Sequence, residues 1–218
     1  MPTLWEILTG ADEEEVESQF TNPLHVCIGN QVGIDTLELE DMNFNVRALR
    51  EVTRHVDDKE FQYADYILVA CPFGGGDTVK KKLRLVPLDE HSDGKMTHFA
   101  LLFDLLDEFK YHEDFHKGLA FENKGEFTEG DNMYYRVNDL QAPWECTIKH
   151  ISDLDGDGEV EMDEVEDAAM TYWDFWREFD DEGGNKVLEF YIVEMDNDSG
   201  WFQIWIGKEI DQHRVEID

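Results

Sequence analysis

Basic residues are scarce in this chain. Its 218 residues include 18 lysines and arginines against 52 aspartates and glutamates, which gives a formal net charge of −34 at pH 7. A surface this negative repels phosphate backbones and anionic headgroups, so nucleic acid and lipid surfaces are poor partners. Basic proteins, basic peptides and cations are better matched to it. Solubility or a high-salt habitat is the alternative explanation of the acidic excess.

Cysteines and long apolar runs are also few. Cys27, Cys71 and Cys146 are odd in number and form no CxxC pair, which favours reduced core thiols over a disulfide framework. The N-terminus does not have the pattern of a signal peptide. The longest apolar stretches, YILVACPF and FALLFDLL, are far shorter than the about 20 residues of a membrane-spanning helix. We therefore expect a cytoplasmic protein without direct membrane insertion.

Apolar runs separated by glycine and aspartate turns dominate the chain from Pro23 onward. Hydrophobic residues make up 41% and aromatic residues 12%, which indicates a folded core. The pattern predicts an α+β fold that is mostly antiparallel β, built of hairpins with few short helices. Residues 1–20 are interpreted as an amphipathic, acidic arm. Residues 21–218 are interpreted as a single β-rich domain, with two packed halves, 21–120 and 121–218, as a possible subdivision.

The C-terminal third has the clearest strand pattern. Apolar side chains alternate along KVLEFYIVEM and WFQIWIGKEI, and DDEGGN and DNDSG supply turns. We predict a three-stranded antiparallel meander over residues 171–210. The first run, MTYWDFWREF, also fits a helical spacing, so a helix there is the alternative.

The segment DLDGDGEVEMDE, from Asp153 to Glu164, contains seven carboxylates in twelve residues. It resembles the calcium loop of the EF-hand family, in which oxygen ligands recur at alternate positions and a glycine, here Gly158, allows the sharp turn. The resemblance implies a Ca²⁺ site in which Glu159 binds through its backbone carbonyl and Glu161 through water. The predicted ligands are Asp153, Asp155, Asp157, Glu159, Glu161 and Glu164.

The surroundings of this segment differ from those of an EF-hand. The preceding run, ECTIKHIS, is typical of a strand, whereas DEVEDAAM after it can form a helix. A second loop of this type does not occur in the sequence, although EF-hands usually work in pairs. We therefore expect a structural calcium site rather than a calcium sensor. An acidic hairpin tip without a cation is the alternative.

The pentapeptide HEDFH, from His112 to His116, matches the HExxH pattern and resembles the zinc site of metalloproteases. On a helix, His112 and His116 would face one side and bind Zn²⁺, with Glu113 as general base. A third ligand is not assigned, although Glu126 and Glu129 lie downstream. Surface histidines on a polar helix are the more ordinary interpretation.

Tryptophan is concentrated near the C-terminus. An aromatic platform for a sugar or a peptide is one interpretation, and filling of the core is the ordinary one. The four residues concerned are Trp173, Trp176, Trp201 and Trp205.

The segment TVKKKLRLV carries the one basic stripe that the sequence shows. Lys80, Lys82 and Arg84 alternate along it and would lie on one face of a strand. We expect this stripe to pair with acidic residues rather than to bind nucleic acid.

The order of elements is similar to that of β-rich bacterial proteins of unknown function that are encoded beside homologues of phage-shock protein A. The similarity covers most of the chain from residue 22 and lies in NPLHVCIGNQVGIDTLEL, YYRVNDLQAPWECTIKHI and LEFYIVEMDNDSGWFQIWIGKEID. It implies an intracellular accessory protein in a membrane-stress pathway and assigns no site residue. We predict a non-enzymatic, acidic binding or accessory protein with one structural calcium loop. A zinc-dependent hydrolase and a peptide- or glycan-binding module are the alternatives.

Overall fold

The computed structural model describes residues 28–35, 42–56, 59–70, 78–90, 96–110, 126–136, 144–152, 165–181, 183–211 and 214–217. These residues form twelve strands of one antiparallel sheet and contain no α-helix. The strands are β1 (Gln31–Ile34), β2 (Asn43–Val56), β3 (Lys59–Ala70), β4 (Val79–Glu90), β5 (Met96–Lys110), β6 (Glu126–Glu129), β7 (Asn132–Arg136), β8 (Trp144–Ser152), β9 (Val165–Asp180), β10 (Lys186–Asp196), β11 (Trp201–Ile210) and β12 (Val215–Ile217).

Eight of the described strands close into a ring. β2 to β5 form one four-stranded meander and β8 to β11 form another. The last strands of the two meanders, β5 and β11, pair with each other, and so do the first strands, β2 and β8. Each edge of one meander is therefore hydrogen-bonded to the other, and the result is a closed antiparallel sheet.

The ring closes with a large stagger between its strands. Pairing partners followed from Lys82 through β5, β11 and β10 reach Trp176 of β9. In the other direction, the pairing partners followed from Lys82 through β3 and β2 reach Ser152 of β8. Ser152 lies one residue beyond Ile151, which is the partner of Val165 in β9. The two paths therefore reach β9 at positions about twelve residues apart. An eight-stranded closed sheet encloses an interior that side chains can fill or that can hold one small ligand.

Buried apolar residues form one cluster inside the closed sheet and two clusters on its outer faces. One cluster of buried residues draws side chains from seven of the eight ring strands, and the partly buried Val86 of β4 packs against it, which places the cluster in the interior. A second cluster joins β1 to the outer face of β2 to β5, and a third joins β7 to the outer face of β9 to β11. Two long strands belong to the ring and also pair with a strand outside it. Along its length, β2 pairs first with β1 and then with β8, and β9 pairs first with β8 and then with β7.

The predicted C-terminal meander is confirmed by β9, β10 and β11. The turns between them fall at 181–185 and 197–200, where DDEGGN and DNDSG were expected to turn the chain. The helical alternative for MTYWDFWREF is wrong, and so is the helix expected after the acidic segment, because β9 begins at Val165. The run fitted both a helical and a strand spacing because β9 has apolar residues on both of its faces. Met170 and Tyr172 face the interior, and Trp173 and Phe175 pack on the outer face.

The mostly antiparallel β fold, its hairpins and its meander are as predicted, whereas the short helices of an α+β fold are not among the described residues. The arm at 1–20 lies outside the described ranges. Both predicted halves, 21–120 and 121–218, contribute strands to the one closed sheet. Within the described ranges there is no helix with the length and apolar character needed to cross a membrane.

Candidate functional site

Charged side chains gather inside the closed sheet, and we refer to them as the interior charge cluster. Each has 12% or less of its side-chain area exposed. Among the described side chains the cluster contains four cations and three carboxylates, which leaves one positive charge in excess inside a chain of net charge −34. Its members are Arg50 and Arg54 of β2, Asp65 of β3, Lys82 and Arg84 of β4, Asp174 of β9 and Glu194 of β10.

Glu194 is the central acceptor of the cluster and is fully buried. Lys82 donates to its Oε1 atom, and Arg84 Nη2 lies 3.5 Å from the same oxygen. Its Oε2 atom accepts hydrogen bonds from Arg50 Nη1 at 3.2 Å and from Trp205 Nε1 at 3.1 Å. One carboxylate on β10 therefore connects β2, β4 and β11 across the interior.

Two further ion pairs complete the cluster. Arg84 donates two hydrogen bonds of 2.7 Å to Asp65, the bidentate arrangement that makes arginine–carboxylate pairs strong. Arg54 pairs with Asp174 and also donates to the Tyr63 hydroxyl at 2.9 Å. Burial alone would raise the pKa of each carboxyl group, but the adjacent guanidinium holds the pKa of Asp65 and of Asp174 below its usual value.

Aromatic rings form part of the walls around these cations. The Lys82 amine lies 4.4 Å from the centre of the Trp205 ring, and the Arg84 guanidinium lies 4.2 Å from the centre of the Tyr63 ring. Such cation–π contacts are worth more when both groups are desolvated, as they are here. The rings thus stabilise cations that would otherwise be costly to bury.

Burial lowers the pKa of the Lys82 amine to about 8, even though Glu194 and Asp65 favour its charged form. An unfolded lysine has a pKa of about 10.4, so between about pH 8 and about pH 10 the unfolded chain binds more protons at this position than the native protein does. Stability contributed by Lys82 should therefore rise with pH in that window. We expect the free energy of unfolding of the native chain to increase relative to that of Lys82→Met between pH 7 and pH 10, measured by urea unfolding.

Lys186→Met is the control for this prediction. The exposed Lys186 amine pairs with Asp180 and Glu178, and hydrogen bonds to these carboxylates raise its pKa. The stability difference between the native chain and Lys186→Met should not grow with pH. A difference for Lys82→Met that is flat or falls over the same range would contradict the assignment of a lowered pKa to Lys82.

Several polar atoms of the interior have no hydrogen-bond partner among the described residues. They are the Tyr172 hydroxyl, Arg50 Nε and Asp174 Oδ1. Burial and the negative charge of Glu194 raise the pKa of Tyr172, which keeps its hydroxyl protonated. Buried polar groups in proteins are satisfied in the large majority of cases, so each exception calls for an explanation.

Cys146 lies among these interior residues as a free, buried thiol, as predicted. Burial raises its pKa to about 12, so the thiol is neutral. Cys27 and Cys71 lie outside the described residues. Cys146 is therefore an apolar filler of the interior rather than a reactive group.

The six predicted calcium ligands, at positions 153, 155, 157, 159, 161 and 164, lie outside the described residues, but the strands on either side of them are described. β8 ends at Ser152, β9 begins at Val165, and Ile151 lies directly opposite Val165 in the antiparallel pair. His112, Glu113 and His116 also lie outside the described ranges. Within those ranges, no group of three or more histidine, cysteine, aspartate or glutamate side chains is placed to hold a metal ion.

The four C-terminal tryptophans do not form one platform. Trp205 is buried in the interior and Trp173 is buried on the outer face. Trp176 and Trp201 are partly exposed, and Trp176 lies beside Tyr135, with 6.5 Å between ring centres.

The basic stripe pairs with acidic residues, as expected. Lys82 and Arg84 reach Glu194 and Asp65 in the interior, and Lys80 lies 3.5 Å from Glu108 near the surface. Sequence reasoning missed the remaining members of the interior charge cluster. The signal that could have found them is a single charged residue within an apolar strand, as in QYADYILVA and FYIVEM. The missed residues are Arg50, Arg54, Asp65, Asp174 and Glu194.

Comparison with protein-family models, curated proteins and solved structures finds no match to this chain.

Proposed function

We propose that this chain is a non-enzymatic, acidic binding protein that carries a single structural calcium loop at residues 153–164. One observation carries the proposal. The twelve residues that match the calcium loop make up the whole connection between β8 and β9, from the end of β8 at Ser152 to the start of β9 at Val165. The two ends of the segment are held together by the pair between Ile151 and Val165.

The position of this segment supports a structural role for the cation. β8 closes the ring by pairing with β2 on one side and with β9 on the other. Carboxylates at close range repel one another, and Ca²⁺ converts that repulsion into attraction through six to eight oxygen ligands. A cation bound between β8 and β9 would therefore stabilise the strand that closes the sheet. Strands on both sides also differ from the two helices that move apart in calcium sensors.

Calcium is expected to raise the thermal unfolding midpoint of the native chain. At a calcium concentration a hundredfold above the dissociation constant, binding to the native state alone adds about 2.7 kcal/mol. Magnesium should add less, because it prefers six ligands in a strict octahedral arrangement. Glu164→Gln should lose most of the calcium shift, since it removes the bidentate ligand, and should still fold without calcium. Melting curves with calcium, magnesium and chelator measure these effects.

Asp131→Asn is the matched control, because Asp131 is an exposed carboxylate in the turn between β6 and β7. Its calcium shift should equal that of the native chain. The proposal fails if millimolar calcium changes neither the melting midpoint nor the heat of an isothermal titration, or if Asp131→Asn and Glu164→Gln lose the shift equally.

The charge of −34 supports a basic protein or basic peptide as the macromolecular partner. The resemblance to proteins encoded beside phage-shock protein A homologues supports a cytoplasmic accessory role in a bacterial membrane-stress pathway. The few short helices of the predicted α+β fold also remain part of this proposal. The zinc-dependent hydrolase built on His112 and His116 and the aromatic peptide- or glycan-binding module gain no specific support from the described residues, so we do not advance them.

A further inference from the structure

The charge balance of the interior differs from that of the whole molecule. Four buried cations face three buried carboxylates among the described side chains, and all seven have 12% or less of their side-chain area exposed. An unpaired charge is costly to bury, so buried ionic clusters are normally balanced. An anion with a single negative charge inside the sheet would balance the excess positive charge of this cluster.

Two hydrogen-bond donors in the same interior lack an acceptor within the described part of the chain. The Tyr172 hydroxyl and Arg50 Nε are both buried and make no hydrogen bond to a described residue. Tyr172 lies directly opposite Glu194 in the β9–β10 pair, and Arg50 donates through its Nη1 atom to Glu194. The ring of Tyr172 also lies 5.1 Å from the guanidinium of Arg54. The unsatisfied donors therefore belong to the region that holds the excess positive charge.

The ring of eight strands surrounds the charge cluster. The interior of an eight-stranded closed sheet is either filled by side chains or holds one small ligand. The walls around the charge cluster are aromatic and aliphatic, and include Phe103, Ile192 and Trp205. Apolar walls with a few convergent polar groups are typical of small-molecule sites.

We propose that the interior of the closed sheet binds a small organic monocarboxylate between Arg50, Lys82 and Tyr172. A single negative charge matches the single excess cation among the described side chains. The two carboxylate oxygens match the two unsatisfied donors, and a short apolar tail matches the walls. A dianion such as phosphate fits less well, because it would reverse the charge excess and lie near the carboxylate of Asp174, whose Oδ1 atom has no donor among the described residues.

Isothermal titration and thermal melting of the full chain with acetate and propionate, at constant ionic strength, test this site. Chloride, sulfate and phosphate are the comparison anions. We expect the monocarboxylates to bind and to raise the melting midpoint. Lys82→Met should weaken binding at least about tenfold, because it removes the excess positive charge. Tyr172→Phe should weaken binding by a similar factor, since hydrogen bonds to a charged group are worth about a factor of ten or more.

Tyr172→Phe keeps the test decisive if Lys82→Met folds poorly, because the lost hydroxyl makes no hydrogen bond within the described chain. Removing it should leave the ligand-free protein as stable as before, so any loss of binding reports on the ligand. Lys186→Met, an exposed lysine on β10, is the control and should bind as the native chain does. The proposal is overturned if neither monocarboxylate binds at tens of millimolar, if chloride binds equally well, or if Tyr172→Phe binds like the native chain. The calcium loop is tested by other variants, so the two proposals can fail separately.

Discussion

Glu194→Gln is expected to lower the free energy of unfolding by about 3–5 kcal/mol, the usual effect of removing one partner of a buried charge pair. Glutamine preserves the shape of the side chain and one acceptor oxygen, so the loss reports on charge. The variant would leave four interior cations facing two carboxylates. Lys82 and Arg50 would both lose a charged partner that connects them to β10. Urea unfolding at pH 7 measures the change.

Glu178→Gln is the control for this experiment. Glu178 lies on β9 with 48% of its side chain exposed and pairs with Lys186 at 3.3 Å. Exposed pairs contribute about 0–1 kcal/mol, so little change is expected. Adding Lys82→Met to Glu194→Gln should recover part of the lost stability, because the double variant restores a single excess cation. A loss below about 1 kcal/mol for Glu194→Gln would mean that the interior does not depend on this carboxylate.

Gly207→Ala is expected to cost about 3 kcal/mol, at the upper end of overpacking effects in cores. A Cβ atom added to Gly207 would lie 2.4 Å from the carbonyl oxygen of Leu102 and 2.5 Å from the Phe103 ring. Gly207 is paired with Phe103 across β5 and β11, where one meander joins the other. The backbone oxygen cannot move without disturbing that pairing, so the strain cannot be relieved by rotation of a side chain. Thermal and urea unfolding measure the loss.

Gly33→Ala provides the comparison, because Gly33 is also a strand glycine. An added Cβ there would meet only the Cβ atom of Glu216, at an ordinary contact distance of 3.7 Å. We expect its stability to stay within about 0.5 kcal/mol of the native chain. Equal losses for the two variants would indicate that strand glycines matter through the backbone alone and that the close approach at Gly207 carries no special cost.

The hairpins and the C-terminal meander could be predicted from the sequence because their information is local. Apolar alternation sets the strands, and DDEGGN and DNDSG set the turns between β9, β10 and β11. The closure of the ring could not be predicted in this way. It depends on pairs such as Phe103 with Gly207 and Arg50 with His150, which lie about a hundred residues apart in the sequence.

The interior charge cluster could not be predicted from local sequence patterns either. The sequence showed Lys82 and Arg84 as a basic stripe but did not show which carboxylates would meet them. Asp65 comes from the neighbouring strand, whereas Glu194 comes from the opposite side of the ring. In a chain with 52 acidic residues, nothing in the sequence distinguishes these two from the surface carboxylates except their apolar neighbours. The calcium loop remains a prediction from motif and position.

The closed sheet also limits how the protein can aggregate. A strand with one free edge exposes unpaired backbone groups that can add a strand from another molecule. Among the described strands, only β6 and β12 have a neighbour on one side alone, and they contain four and three residues. Both carry glutamate, including Glu126 and Glu216. Each of the longer described strands has a paired neighbour on both sides, so within the described residues the sheet ends only in short edge strands that carry glutamate.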